Sequence, residues 1–155
     1  MAEADCPLCQ AIAAGYAADT LVWEFPHSLA ILGPWQYYHG YCVLISKTHA
    51  RELNRLPAKV RRDYLEEMSV LADAVESAFA PRKLNIESLG NVVPHLHWHL
   101  FPRYETDADH LKAVWLALDA AERDPARKTA LQTGLTPREV TIARLQAALR
   151  ERIGS

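Results

Sequence analysis

The chain of 155 residues is half hydrophobic and 23% charged, which indicates a globular protein and excludes a disordered, collagen-like or disulfide-scaffold chain. Its 17 Lys and Arg are interleaved with 19 Asp and Glu, and this balance argues against binding to a nucleic-acid polymer. No apolar run reaches the roughly 18 residues of a membrane span, and the N-terminus is acidic, unlike a signal peptide. We therefore expect a cytoplasmic protein that does not associate with membranes, in which the three cysteines stay reduced.

Strands are predicted in the first third of the chain. A short helical turn over residues 6–14 ends at Gly15, and three short apolar segments follow between turn residues, at 21–25, 29–32 and 41–45. The first two predict a hairpin and the third a buried strand. Cys42, inside that third strand, is most simply a small core residue.

A long helix is predicted from Pro57, because apolar side chains then recur every three or four residues until Pro81. Residues 83–89 and 95–101 predict two more strands, separated by a turn. In the tail, residues 106–110 predict a loop, and Thr136 and Glu139 suggest a capping box for a closing helix that runs to about residue 152. With no repeat and no second domain boundary, residues 1–155 predict a single α+β domain.

Three histidines, His95, His97 and His99, alternate with three large apolar residues. In a strand this period of two places the imidazoles on one face and the apolar groups on the other, which the long helix is expected to cover. Buried imidazoles without partners cost free energy, so the histidines indicate a site rather than core. Two alternatives stay open: an exposed edge with accidental histidines, and a three-histidine zinc site, which the roughly 6.6–6.8 Å between alternate residues disfavours.

Residues 95–101, His-Leu-His-Trp-His-Leu-Phe, match the motif of the histidine triad (HIT) superfamily, and the chain resembles its bacterial hydrolases, including those of dinucleoside polyphosphates. Residues 40–49 resemble the family's strand ending in Lys-x-His, and residues 6–9 resemble its N-terminal Cys-x-x-Cys. The likeness covers about residues 6–104 and leaves 105–155 as a C-terminal extension, where Trp115 resembles a tryptophan of some relatives. It implies an antiparallel sheet of about five strands, packed with one long helix and additional short and C-terminal helices.

The resemblance implies chemistry at the α-phosphate of a nucleotide. The middle histidine, His97, would attack phosphorus and form a nucleotidyl-histidine, which water or another acceptor then releases. His99 would donate a hydrogen bond to a phosphate oxygen or to the leaving group. The further substrate-binding candidates are Asn85 and Asn91, which resemble polar family residues, Tyr41 as a hydroxyl donor, and Arg103, which could contact a distal phosphate.

Three features differ from the family pattern. Gly33-Pro34 stand where relatives often carry an acidic or amide residue that holds the ribose hydroxyls. Gly40-Tyr41 replace a common Gly-His pair, and the loop between Asn85 and the triad is several residues shorter than in nucleoside phosphoramidases. The mode of ribose binding and the leaving group are therefore open.

Cys6 and Cys9 have the spacing with which two thiolates bind one zinc ion, but a closed site needs two more ligands. The resemblance implies that these are His49 and His95, so that a structural zinc would anchor the strand that carries His97. A thioredoxin-like redox pair is disfavoured because no strand precedes it, and unligated thiols are the remaining alternative.

Two hypotheses from different classes follow. One is an enzyme, a nucleotide hydrolase or nucleotidyl transferase, and the other is a non-catalytic nucleotide-binding regulatory or scaffold protein. The intact triad favours the enzyme, because a binding protein has no need of an imidazole at position 97. The resemblance also implies a symmetric homodimer, which would protect an edge of the sheet.

Overall fold

Short β-branched and aromatic segments between turn residues form one antiparallel sheet in the computed structural model, which describes residues 3–154. Its five strands are β1 (Leu21–Glu24), β2 (Ser28–Leu32), β3 (Cys42–Ser46), β4 (Lys83–Glu87) and β5 (His97–Arg103). Their order across the sheet is β1-β2-β3-β5-β4, and each neighbouring pair runs antiparallel. The predicted α+β class with a five-stranded antiparallel sheet is confirmed.

Helices cover the sheet. The described residues include α1 (Pro7–Ala14), α2 (Ala58–Phe79), α3 (Val114–Ala121), α4 (Pro125–Gln132) and α5 (Arg138–Ile153), with short 3-10 turns at Glu3–Asp5 and Leu53–Arg55. The long predicted helix is α2, which ends at the left-handed residue Ala80 just before Pro81. No helix within residues 3–154 is both long enough and apolar enough to cross a bilayer.

The two faces of the sheet pack into two separate apolar clusters. On one face Leu44 and Leu100 join side chains of α2 and α5 such as Leu71 and Leu145. On the other face the cluster contains Val43, Ile45, Phe101, Val114 and Leu118 from β3, β5 and α3. Because neighbouring strand residues alternate between faces, His97 and His99 lie on the face of Phe101, which α3 partly covers.

Some sequence-based boundaries were wrong. The capping box is absent: Pro137 occupies the N-cap position of α5 without a side-chain cap, and Thr136 Oγ1 instead lies 2.8 Å from Thr141 Oγ1. The strand predicted to begin at residue 95 begins at His97, because Leu96 pairs irregularly with both Ser46 and Ala50 while the backbone N–H of His95 donates to the carbonyl oxygen of Val93. Helices α3 and α4 were not individually predicted in the tail.

Candidate active site and metal centre

Strand β5 places His97 and His99 inside the sheet, between β3 and β4. In its register with β3, His97 lies opposite Ile45 and His99 lies opposite Val43. The apolar residues between them point to the other face, where Leu96, Trp98 and Leu100 pack in the cluster that α2 covers. The alternation therefore separates the imidazoles from the larger core, as the period of two predicts.

His97 is held in one tautomer by the backbone. Its Nδ1 lies 2.6 Å from the carbonyl oxygen of His95. A carbonyl oxygen can only accept, so Nδ1 carries the proton and donates it, and Nε2 keeps its lone pair. The ring lies 4.9 Å from that of His99 at an interplanar angle of 80°. Because the side chain is partly exposed and lines a cavity, this lone pair is accessible to a ligand.

His99 has the complementary arrangement. Burial, with a smaller contribution from neighbouring His97, lowers the pKa of His99 to about 4, so the ring is neutral near pH 7. Its Nδ1 lies 2.8 Å from the hydroxyl oxygen of Tyr41, and burial raises the pKa of that phenol. Because this is the one hydrogen bond that the buried phenol makes among the described residues, its O–H donates to Nδ1, and the proton of the neutral imidazole is then on Nε2. His97 thus offers a lone pair and His99 offers an N–H.

Tyr41 is fixed by its packing. Its ring stacks on Phe101 with centroids 3.9 Å apart and an interplanar angle of 5°. Gly33 lies directly against it, because a Cβ at that position would be 2.1 Å from Cε1 of the tyrosine. The glycine that the sequence places after β2 therefore makes room for the phenol that bonds His99.

The C-terminal extension completes the site. The indole of Trp115, on α3, contacts the His99 ring edge-on with centroids 5.1 Å apart. Its Nε1–H donates a hydrogen bond to the carboxylate of Glu87, which is the register partner of His99 on β4. The ring of His99 is therefore enclosed by Tyr41 on one side and by Trp115 on another.

A cavity of about 580 Å³ opens in front of the two histidines. Apolar side chains dominate its walls, and its polar side chains are those of Tyr41, Asn91, His97, His99 and Asp119, with indoles at Trp35 and Trp115. Asn91 is exposed in the loop between β4 and β5. Sequence reasoning missed Trp35 and Asp119. The spacing of Asp119, four residues after Trp115, was the available signal once α3 is recognised as a helix.

Arg103 and Asn85 are not brought to this cavity. Arg103 is only 2% exposed, and its guanidinium donates to Asp107 Oδ2, to the backbone carbonyls of Lys112 and Asp109, and to Asn85 Oδ1. A guanidinium with its donors bound internally has none to offer a phosphate. Their positions are thus a correction to the expectation of substrate contact, and the pair instead ties the segment after β5 to β4.

The predicted metal ligands converge. One ligand atom each from Cys6, Cys9, His49 and His95 lies within 4.8 Å of the others, although the two ends of the set are 89 residues apart. Cys6 and His95 are buried, whereas Cys9 and His49 are partly exposed. His95 donates through Nε2 to the carbonyl oxygen of Ser46 at 2.7 Å, which directs Nδ1 towards the thiols.

The separations fit a tetrahedral zinc ion. Bond lengths of about 2.3 Å to sulfur and about 2.05 Å to nitrogen put tetrahedral ligands about 3.6 Å apart for S···N and about 3.3 Å apart for N···N. The S···N distances are 3.4 Å from Cys6 to His95, 3.4 Å from Cys9 to His95 and 3.2 Å from Cys9 to His49. The two imidazole nitrogens are 3.3 Å apart. The donor set and its spacing are therefore compatible with zinc.

The thiol of Cys9 is uncharged when no metal is bound. Burial, followed by the adjacent Cys6, raises the pKa of Cys9 to about 11, so its thiol stays protonated near neutral pH. A zinc ion held by Cys6, Cys9, His49 and His95 would favour the thiolate form of the cysteines. A redox or nucleophilic role for Cys9 is disfavoured by the same shift, since reactive cysteines need a lowered pKa.

Comparison with known proteins identifies the family. A model of the HIT domain matches residues 15–106. The chain is 32% identical over 116 residues to "Protein hit" of Bacillus subtilis, covering 72% of this chain and 79% of that protein. It is 27% identical over 108 residues to "Adenylylsulfatase HINT3" of Arabidopsis thaliana, covering 66% of this chain and 54% of that protein.

Solved structures share the fold. A histidine triad protein from Marinobacter aquaeolei has a TM-score of 0.68 and 26% identity, covering 86% of this chain and 91% of that one. A zinc-bound histidine triad family protein from Mycobacterium smegmatis has a TM-score of 0.67 and 21% identity, covering 99% of both chains. By its domain match and its relatives, the chain belongs to the HIT domain family.

Proposed function

We propose that the protein is a nucleotide hydrolase or nucleotidyl transferase in which His97 attacks the α-phosphorus of a nucleotide. The observation that carries the proposal is the hydrogen bond from His97 Nδ1 to the carbonyl oxygen of His95, which leaves Nε2 with a lone pair beside the cavity. Neutral imidazole is a competent nucleophile. Membership of a family that contains an adenylylsulfatase supports nucleotidyl chemistry.

The reaction has two steps. Nε2 of His97 forms a bond to phosphorus, and the bond from phosphorus to the leaving group breaks with its electron pair on that group. A basic leaving group takes up one proton from solvent. Water then attacks phosphorus, the electron pair of the P–N bond returns to His97, and one proton is released, so the hydrolysis balances. An alcohol or phosphate acceptor in place of water makes the reaction a transfer. Throughout, the proton on Nδ1 stays hydrogen-bonded to the His95 carbonyl.

Neutral donors stabilise the phosphoryl oxygens in this proposal. The Nε2–H of His99, set by Tyr41, is directed by a fixed ring and needs no reorganisation as charge develops. The loop of Gly90, Asn91 and Val92 lines the same cavity, and within the described residues its backbone N–H groups donate no hydrogen bond. These N–H groups and the Asn91 amide are available for the phosphate.

Zinc is proposed as a structural element. The ion would be held by Cys6, Cys9, His49 and His95, and it would supply a cross-link between the N-terminal segment and the residues that lead into β5. His95 is a ligand through its ring and the acceptor for His97 through its carbonyl, so the ligand set orients the nucleophile. The zinc-bound relative from Mycobacterium smegmatis supports this assignment.

We also propose a cytoplasmic homodimer. Strand β4 is an edge of the sheet, and its Ile86 is 37% exposed, so pairing through this edge would cover both apolar surface and unpaired backbone groups. Light scattering at micromolar concentration is expected to give twice the chain mass. A monomer at that concentration would contradict the dimer without affecting the chemistry proposed for His97.

A substrate panel tests the function. Wild-type protein and His97→Ala are incubated with dinucleoside polyphosphates, nucleoside phosphoramidates and adenylylsulfate, and the products are separated by chromatography. We expect the wild type to release a nucleoside monophosphate from at least one class and His97→Ala to release none. Binding without turnover by the wild type would instead favour the regulatory or scaffold protein.

A further inference from the structure

The cavity in front of the histidines contains no cationic side chain. Among residues 3–154 that line it, none is Lys or Arg, and the only charged side chain is the carboxylate of Asp119. The nearest arginine in sequence to the triad, Arg103, is buried and bonded elsewhere. Sites that hold several phosphates usually carry Lys or Arg, because each additional negative charge must be compensated.

Asp119 faces the cavity from the C-terminal extension. It lies on α3 one turn after Trp115, so the two side chains share a helix face. Trp115 contacts His99, and Trp115 and Asp119 both line the same cavity as the histidines. Asp119 makes no hydrogen bond or ion pair with any part of the chain that the structure describes. Its charge is therefore not neutralised internally.

The donors that remain are suited to one phosphoryl group. The Nε2–H of His99, the Asn91 amide and the backbone N–H groups of the 90–92 loop are all neutral. Neutral donors hold the oxygens of one monoanionic phosphoryl centre without a counter-charge. A chain of further phosphates would add negative charges to a cavity whose lining already includes a carboxylate, and like charges repel.

We propose that Asp119 is a specificity residue that makes the cavity select a single phosphoryl group whose other substituent is uncharged or cationic, and disfavour a polyphosphate. The inference rests on the proposed function, since it names the substrate class of the same site. Asp119 does not react; it acts by charge on the part of the ligand beyond the phosphorus. Because Asp119 is exposed, solvent and salt weaken its effect.

Equilibrium binding separates this inference from catalysis. In a His97→Ala background, a nucleoside 5′-monophosphate methyl ester, whose single phosphoryl group is monoanionic, and the 5′-triphosphate of the same nucleoside are titrated, and quenching of the intrinsic tryptophan fluorescence is followed, to which Trp35 and Trp115 at the cavity contribute. The ratio of the two dissociation constants is compared in this background, with Asp119→Asn added, and with Glu122→Gln added. Glu122 follows the same helix and is exposed, but it does not line the cavity, so it controls for a general change in charge.

We expect the monophosphate ester to bind more tightly than the triphosphate when Asp119 is present. Asp119→Asn should tighten triphosphate binding by about three- to tenfold relative to the monophosphate ester, and the change should shrink at high salt. Glu122→Gln should leave the ratio within about twofold. A ratio that Asp119→Asn does not change, or that both variants change equally, would overturn the inference. Failure of both nucleotides to bind would refute the proposed function itself.

Discussion

Tyr41→Phe removes one atom from the candidate site and tests how His99 is held. The substitution keeps the ring that stacks on Phe101 with centroids 3.9 Å apart and that Gly33 accommodates. It removes the donor 2.8 Å from His99 Nδ1. The buried nitrogen then has no partner, or the ring proton moves from Nε2 to Nδ1 and the catalytic donor is lost. Either outcome affects the same imidazole.

The expected magnitudes follow from this geometry. Loss of a buried hydrogen bond that leaves its acceptor unpaired costs about 1–2 kcal/mol, which lowers Tm by about 3–6 °C in a chain of this size. Loss of a donor to the phosphoryl oxygens lowers kcat by about 10- to 100-fold with a smaller change in KM, since the interaction strengthens in the transition state. The pKa of His99 should rise from about 4, because the phenol no longer holds Nδ1 as an acceptor.

Tyr38→Phe is the matched control. Tyr38 is fully buried beside Phe101 on the same face of the sheet, but its hydroxyl has no hydrogen-bond partner in the part of the chain that the structure describes. Its removal should leave kcat unchanged and Tm unchanged or slightly raised. Thermal unfolding, steady-state kinetics and NMR titration of the His99 ring measure the three effects. Wild-type kcat in Tyr41→Phe, or equal losses in both variants, would refute the role assigned to this phenol.

Cys9→Ser should lower the zinc content from about one equivalent per chain and lower Tm. Cys42→Ala should keep the zinc, because the thiol of Cys42 bonds a buried backbone carbonyl and is not one of the four proposed ligands. Metal-free wild-type protein whose Tm a chelator does not change would contradict the site. Acidification from pH 7.5 to 5 should cost about 2 kcal/mol of unfolding free energy through His99, because the unfolded ring binds a proton near pH 6.5 that the folded ring binds only near pH 4. Urea titrations of wild type and His99→Ala test this, and equal pH dependence of the two would count against it.

The sequence predicts those helices and strands whose pattern of apolar residues lies within the element itself. The apolar stripe of α2 and the alternation along β5 require only a helical or a strand period, and both are found. The four metal ligands lie in segments up to 89 residues apart, so their grouping came from the family resemblance and not from spacing.

The expectations that the structure corrects concern residues whose surroundings are set by tertiary contacts. Arg103 follows the triad strand, where a phosphate contact is plausible, but the chain after β5 folds back and supplies Asp107 and the carbonyl of Lys112 to its guanidinium. No local pattern indicates that return. Helix α3 is short and rich in Ala and Leu, without a capping signal, and its role as a cavity wall emerges only when Trp115 is seen against His99.

The most direct test of the central claim is to trap the covalent intermediate on His97. A substrate that the wild type cleaves is mixed with the protein, the reaction is quenched by denaturation at alkaline pH, where a phosphorus bond to imidazole survives, and the digest is analysed by mass spectrometry. The account predicts a peptide containing residues 95–99 that is heavier by one nucleotidyl group, with fragment ions that place the group on His97. It also predicts no adduct and no turnover with His97→Ala. Turnover that persists in His97→Ala, or an adduct on a different residue, would contradict the account and favour direct attack by water or another nucleophile.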